Sequence, residues 1–189
     1  MAGDWTRLQR QLVGDYSFFR VRKDTNQSPR TQKEHDFFIL ELGEWINIIP
    51  VTPAGKVVLI WQYRHGTERV GLEIPGGVME SSDASPALAA RRELSEETGY
   101  DTETIIELGQ VAPNPALQNN RCHSFLALGV RPLGVQELDD AEDIRVEEFE
   151  LGEVPALIRA GRIHHSLVIV AFYLLDQYRL QNPGFELSQ

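Results

Sequence analysis

Hydrophobic residues in the first half of the chain fall in short runs separated by turn-forming residues. His35–Leu42 alternates weakly around Phe37, Phe38, Ile39 and Leu40, which predicts a strand. Trp45–Val51 and Lys56–Tyr63 are β-branched and aromatic runs on either side of Thr52-Pro53-Ala54-Gly55, the signature of a hairpin. Gly71–Pro75 predicts a further short strand. The glycine pair Gly76-Gly77 that follows lets a backbone without Cβ atoms turn and come close to a ligand.

At Ser85 the period changes. Ser85-Pro86 supplies an N-cap hydroxyl and a first-turn proline, Ala87–Thr98 is rich in strong helix formers, and Gly99 stands where a helix would stop. Ile105–Val111, Ser124–Val130 and Ile144–Leu151 predict strands, with Ala112–Arg121 a loop and Gln136–Asp143 an acidic loop. Val154–Ala160 and Ser166–Arg179 predict helices, the second with Leu167, Val170, Ala171 and Leu174 at helical spacing. The N-terminal part through about Glu34 is polar apart from Phe18 and Phe19, and Asp24–Lys33 predicts a loop.

A chain of 189 residues with 42% hydrophobic and 24% charged residues is that of one ordinary globular domain. Its net charge of −10 disfavours nucleic acid or an anionic membrane as a partner. A small anionic ligand stays compatible, since a bound cation or a local arginine reverses the potential at one site. Cys122 is the only cysteine, so no internal disulfide forms and a reducing compartment, the cytoplasm, is expected. The opening MAGDWTRLQR has no apolar signal core, and the longest apolar run, Leu167–Leu175, is too short to span a bilayer.

The chemistry is concentrated in Arg92-Glu93-Leu94-Ser95-Glu96-Glu97-Thr98-Gly99-Tyr100. On a helix, Glu93, Glu96 and Glu97 lie at i, i+3 and i+4 and share a face. Three like charges near the negative end of a helix dipole repel one another and oppose the dipole, whereas a hard divalent cation favours such oxygen ligands. A solvated acidic face is the plain alternative. Arg92 beside the acids and the strand ending in Gly76-Gly77 tip the balance towards a site.

Leu72-Glu73-Ile74-Pro75-Gly76-Gly77 followed by Arg92–Tyr100 resembles the Nudix box, G-x5-E-x7-R-E-U-x-E-E-x-G-U with U apolar. The second half matches throughout, with Tyr100 as the last apolar residue. In the first half the gap from Gly77 to Arg92 is one residue longer than the pattern. The place of its first glutamate falls on Asp83 counting forward and on Ala84 counting back, with Glu80 an alternative carboxylate.

The resemblance implies an α/β/α sandwich around a mixed β-sheet, preceded by an N-terminal β-segment. It implies Mg²⁺ or Mn²⁺ held by Glu93, Glu96 and Glu97 with a backbone carbonyl at Gly76 or Gly77, and Arg92 orienting the glutamates. Gln62-Tyr63-Arg64, Pro115 and the acidic stretch Leu138–Ile144 resemble the branch that hydrolyses ADP-ribose and nucleoside diphosphate sugars. Within that branch Asp140 and Glu142 compete for the general base. Arg64 is the candidate phosphate contact or a surface arginine, and Glu73 holds substrate or metal or makes a structural salt bridge. Trp45 stacks on a nucleobase or is a half-buried strand tryptophan. Members of the branch are homodimers that exchange N-terminal strands, so residues 1–42 are expected to serve the dimer and 43–189 to form the hydrolase domain. A dinucleoside polyphosphate, coenzyme A or triphosphate hydrolase of the same fold, or a non-catalytic nucleotide sensor, is the competing reading; the complete set of acids in Arg92–Glu97 speaks against the sensor. His123 beside Cys122 points to the opposite strand face, and His164-His165 are expected on the surface at a helix start.

Overall fold

A computed structural model describes residues 3–187. The chain divides into two compact units. One comprises Met1–Glu44 with Ala112–Arg121, and the other Trp45–Val111 with Cys122–Gln189. The break thus falls two residues later than the sequence suggests, and the loop after the carboxylate helix belongs to the N-terminal unit.

That N-terminal unit is a three-stranded antiparallel sheet of β1 (Thr6–Asp15), β2 (Arg20–Gln27) and β3 (Glu34–Glu41). Two of these strands were not legible. β1 and β2 are mostly polar or charged, and the first four residues of the expected loop Asp24–Lys33 are strand. Ion pairs replace apolar burial here: Asp24, only 5% exposed, is gripped by Arg10 and Arg22, and Arg22 also donates to Glu41. Loop 112–121 is tied to β3 by Leu40 N–H to Leu117 O at 2.8 Å.

The larger unit holds a seven-stranded mixed sheet. Its path runs β12 (Ile144–Glu150), β5 (Lys56–Arg64), β4 (Trp45–Val51), β10 (Cys122–Leu128) and β9 (Ile105–Val111). β6 (Arg69–Glu73) pairs with β5 and β7 (Gly76–Val78) with β4, while β8 (Tyr100–Asp101) and β11 (Arg131–Pro132) form a separate two-residue pair. β4 and β10 run parallel, and the remaining pairs are antiparallel.

Helix α1 (Pro86–Thr98) covers one face; α2 (Val154–Arg159) and α3 (Ser166–Gln181) cover the other. Because both faces are buried, the central strands read as nearly unbroken apolar runs. Successive residues serve opposite layers: Ile46, Ile48, Phe125 and Ala127 pack with Ala89, Ala90 and Leu94 of α1, while Ile49, Val51, Leu126 and Leu128 pack with Val168, Ala171 and Leu175 of α3.

The expected hairpin of β4 and β5 is only a foothold, paired at Val51 and Val57. Beyond it the two strands part, and β6 takes the freed edge of β5 as β7 takes that of β4. The chain crosses this split through Ile74-Pro75, with Pro75 O accepting from Ile48 N–H at 3.0 Å. Gly76-Gly77 is therefore not the expected sharp turn but the start of a strand. A Cβ on Gly76 would run into Ile46 O, so only glycine lets β7 lie this close to β4.

Candidate active site

The split in the sheet is where the charged residues gather. Helix α1 begins as expected, with Ser85 Oγ accepting from Leu88 N–H and Pro86 in the first turn, and ends at Gly99 in the left-handed region. This register turns Glu93 and Glu97 inward with Ala89, Ala90 and Leu94, so both carboxylates face the sheet. Glu96 lies at the helix edge, half-buried, where it accepts from Arg92 Nη1 at 2.7 Å.

Glu97 is 2% exposed, and its Oε2 accepts from Gly76 N–H at 2.8 Å. A Cβ on Gly77 would sit 2.5 Å from Glu93 Oε1, so the strand backbone lies directly against that carboxylate. Burial above all pushes Glu93 up to about 7, against the pull of Arg92 and with repulsion from Glu96 and Glu142 adding to the rise. Burial, and then the charges of Glu93 and Glu142, drives Glu97 well above the carboxylate range. Two buried, mutually repelling carboxylates that nearby arginines only partly offset are unfavourable ground-state chemistry. Their oxygen-only donor set suits a hard divalent cation. Among the described residues no three His, Cys, Asp or Glu side chains already converge as a metal cluster. Glu96 is instead engaged with Arg92, and Glu97 with Gly76 N–H.

The extra residue in the box is accommodated in the turn before α1. Asp83, not Ala84, meets Arg92, accepting from Nε at 3.2 Å and Nη2 at 3.1 Å. Glu80 stays 61% exposed at 4.0 Å from the guanidinium, while its backbone N–H braces Asp83 at 2.8 Å. Arg92 also lies 3.1 Å from Glu93, so one guanidinium fixes the acids on both sides of it. Hydrogen bonding to Arg92 holds Asp83 below the usual carboxylate range.

On the sheet side, Arg64 at the end of β5 forms a two-pronged pair with Glu73 of β6, Nε to Oε1 at 3.0 Å and Nη2 to Oε2 at 2.8 Å. Glu73 is 1% exposed, whereas the Arg64 side chain is 42% exposed. Burial acts to raise Glu73, yet His165 and Arg64 together hold it down to about 2. His164 and His165 are half-buried rather than on the surface: the ring of His164 occupies the space left by the missing side chain of Gly71, and His165 Nδ1 lies 2.7 Å from Glu73 Oε2. His165 was missed because its partner is 92 residues away in sequence, a distance no local pattern spans.

The acidic loop is fastened to the C-terminal end of α1. Gln136 Nε2 donates to Glu97 O at 2.7 Å and to Ile144 O at 3.2 Å, and Glu137 N–H donates to Glu96 O at 2.9 Å. These bonds satisfy helix-end carbonyls that would otherwise lack a partner. They also deliver Glu142 to the site: its charge acts on Glu93, Glu97 and Arg64. Asp140 is exposed on the same loop, whereas Glu142 is half-buried. Trp45 sits half-buried at the first position of β4, opposite Val78 of β7.

A mixed sheet between helix layers, with inward-facing carboxylates on the helix behind a glycine strand, defines a hydrolase built for a divalent cation and a phosphoanhydride. The chain belongs to the NUDIX domain family, whose model matches residues 42–169. It is 32% identical over 132 residues to a methanol dehydrogenase activator from Bacillus methanolicus, covering 69% of this chain and 71% of that protein. With the ADP-ribose pyrophosphatase of Bacillus subtilis (strain 168) it shares 30% identity over 132 residues, again 69% and 71% of the two chains. The crystal structure of an ADP compounds hydrolase superposes with a TM-score of 0.83 at 19% identity, covering 97% of this chain and 98% of that one, which shows the shared fold. Hydrolases of this family use divalent cations. Among the described residues no helix is long and apolar enough to cross a membrane.

Proposed function

We propose that the chain hydrolyses the diphosphate linkage of ADP-ribose or a nucleoside diphosphate sugar, releasing a nucleoside monophosphate and a sugar phosphate with Mg²⁺ or Mn²⁺. The observation that carries this reading is the meeting of Glu93, Glu97, Glu142 and Arg64 within one electrostatic neighbourhood. The family and the Bacillus subtilis relative support the substrate class.

Glu93, Glu96 and Glu97, with a backbone carbonyl of Gly76 or Gly77, would hold the cation. A bound divalent cation neutralises diphosphate oxyanions and acidifies an attacking water. Arg92 and Asp83 fix the helix acids in place. Arg64 offers its outward N–H groups to phosphate oxygens, held in orientation by Glu73. Glu142 takes the water proton as general base. Trp45 lies on the same sheet as a stacking surface for the base. Exposed Trp5, Leu12, Tyr16, Phe18 and Phe38 in the N-terminal segment support a homodimer formed through residues 1–42. The single cysteine supports a reducing compartment, the cytoplasm.

The test is a panel of ADP-ribose, GDP-mannose and UDP-glucose with Mg²⁺ or Mn²⁺, with products identified by mass. Turnover of at least one to two monophosphates is expected. No cleavage of any, with a nucleoside triphosphate or coenzyme A cleaved instead, overturns the substrate assignment.

A further inference from the structure

Arg64 pairs with a buried carboxylate on the sheet side of this site, and that carboxylate has a second partner. Glu73 Oε1 accepts from Arg64 Nε, while Oε2 accepts from both Arg64 Nη2 at 2.8 Å and His165 Nδ1 at 2.7 Å. An ionised carboxylate only accepts hydrogen bonds, so the proton in the last contact belongs to His165 Nδ1. The histidine is free to make this bond because it stands at the N-cap of α3 without capping the helix through its side chain. Its backbone carbonyl instead accepts from Ile169 N–H at 3.2 Å in the first turn of the helix. The three side chains come from β5, its ladder partner β6 and the residue that opens α3.

We propose that His165 is a positioning residue for anion recognition: through Glu73 it fixes the plane of the Arg64 guanidinium against the diphosphate of the ligand. The inference rests on the phosphate role given above to Arg64. The physical reason lies in the geometry of the fork. A carboxylate held by one arginine alone can rotate about its last carbon–carbon bond and slide between end-on and side-on pairing. A third donor on Oε2 fixes that rotation. The Arg64 side chain, 42% exposed, then presents its remaining N–H groups in one direction. Such outer partners set the geometry of the groups that touch the ligand. The neighbouring His164, lodged over Gly71, holds the segment before α3 against β6 and keeps His165 within reach.

The test uses the full chain with Mg²⁺ and α,β-methylene-ADP as the probe, a diphosphate with no cleavable bridge, so that binding is read without turnover. By calorimetry, His165→Leu is expected to bind the probe about tenfold more weakly than the wild type. His165→Asn, whose amide N–H can reach the Nδ1 position, is expected to recover most of that loss. In an Arg64→Ala background, His165→Leu is expected to weaken binding no further, because the histidine acts through the arginine. Wild-type affinity in His165→Leu, failure of His165→Asn to recover it, or additive losses in the double variant would each overturn the proposal. A wild type that does not bind the probe would overturn it too. The substrate assignment is judged separately: a protein that binds the probe in this pattern yet cleaves no nucleoside diphosphate sugar refutes that assignment and leaves the role of His165 standing.

Discussion

Asp83 grips Arg92 from nine residues upstream with both carboxylate oxygens, one against Nε and the other against Nη2. The one-residue expansion of the box is thereby absorbed in the turn before α1, and a shorter acid on a longer turn reaches the same guanidinium. Asp83→Ala should leave Arg92 poorly oriented beside Glu93 and Glu96 and lower turnover about 10–100-fold. Glu80→Gln, which removes only an exposed carboxylate, should leave turnover close to wild type. Steady-state kinetics on the best substrate of the panel checks both, and equal losses would assign the role to the turn as a whole.

Glu97→Gln should reduce turnover by orders of magnitude while the protein keeps its fold. The amide preserves the packing beside Gly76 and removes a charge that burial and Glu93 make costly. Thermal melting in chelator at pH 8 should show the variant at least as stable as the wild type. Added Mg²⁺ should then raise the melting temperature of the wild type much more than that of the variant.

Metal-free protein should lose stability as pH rises from about 4.5 to about 7. Over that window folded Glu93, pushed up from 4.5 to about 7, keeps its proton while the unfolded chain releases it. The folded state then binds more protons, so unfolding becomes easier with each step up in pH. Glu97, shifted in the same direction, extends the loss upward. Melting curves across this range in chelator, repeated with saturating Mg²⁺, should diverge with increasing pH; parallel curves would mean that these acids do not hold the cation.

Of the two loop acids, Glu142→Gln should slow turnover by about 10²–10⁴-fold, the usual worth of a general base. Asp140→Asn, on an exposed position of the same loop, should not. A pH–rate profile that loses its acidic limb only in Glu142→Gln identifies the proton acceptor.

Much of this was legible in the order of residues. Ser85, Pro86 and Gly99 marked both ends of α1, and the run Arg92–Glu97 disclosed its chemistry, because helix periodicity is local. The buried strands β4, β5 and β10 announced themselves by their apolar runs. Two kinds of feature were not legible. β1 and β2 are held by charge pairs such as Arg10–Asp24, and their sequences therefore lack the apolar alternation that marks a strand. The pairing of Arg92 with Asp83, the reach of the Glu142 charge to the helix acids, and the bond from His165 to Glu73 depend on how distant segments meet. Spacing along the chain does not encode such meetings.

Gln136 has a consequence of another order. By bonding at once to Glu97 O and Ile144 O, this one amide clamps the base of the acidic loop to the helix behind it and the strand ahead of it. The residues between the clamp and β12, Glu142 among them, thus hang from two anchors at once. A change at Gln136 is therefore felt by every charge that this stretch carries towards α1.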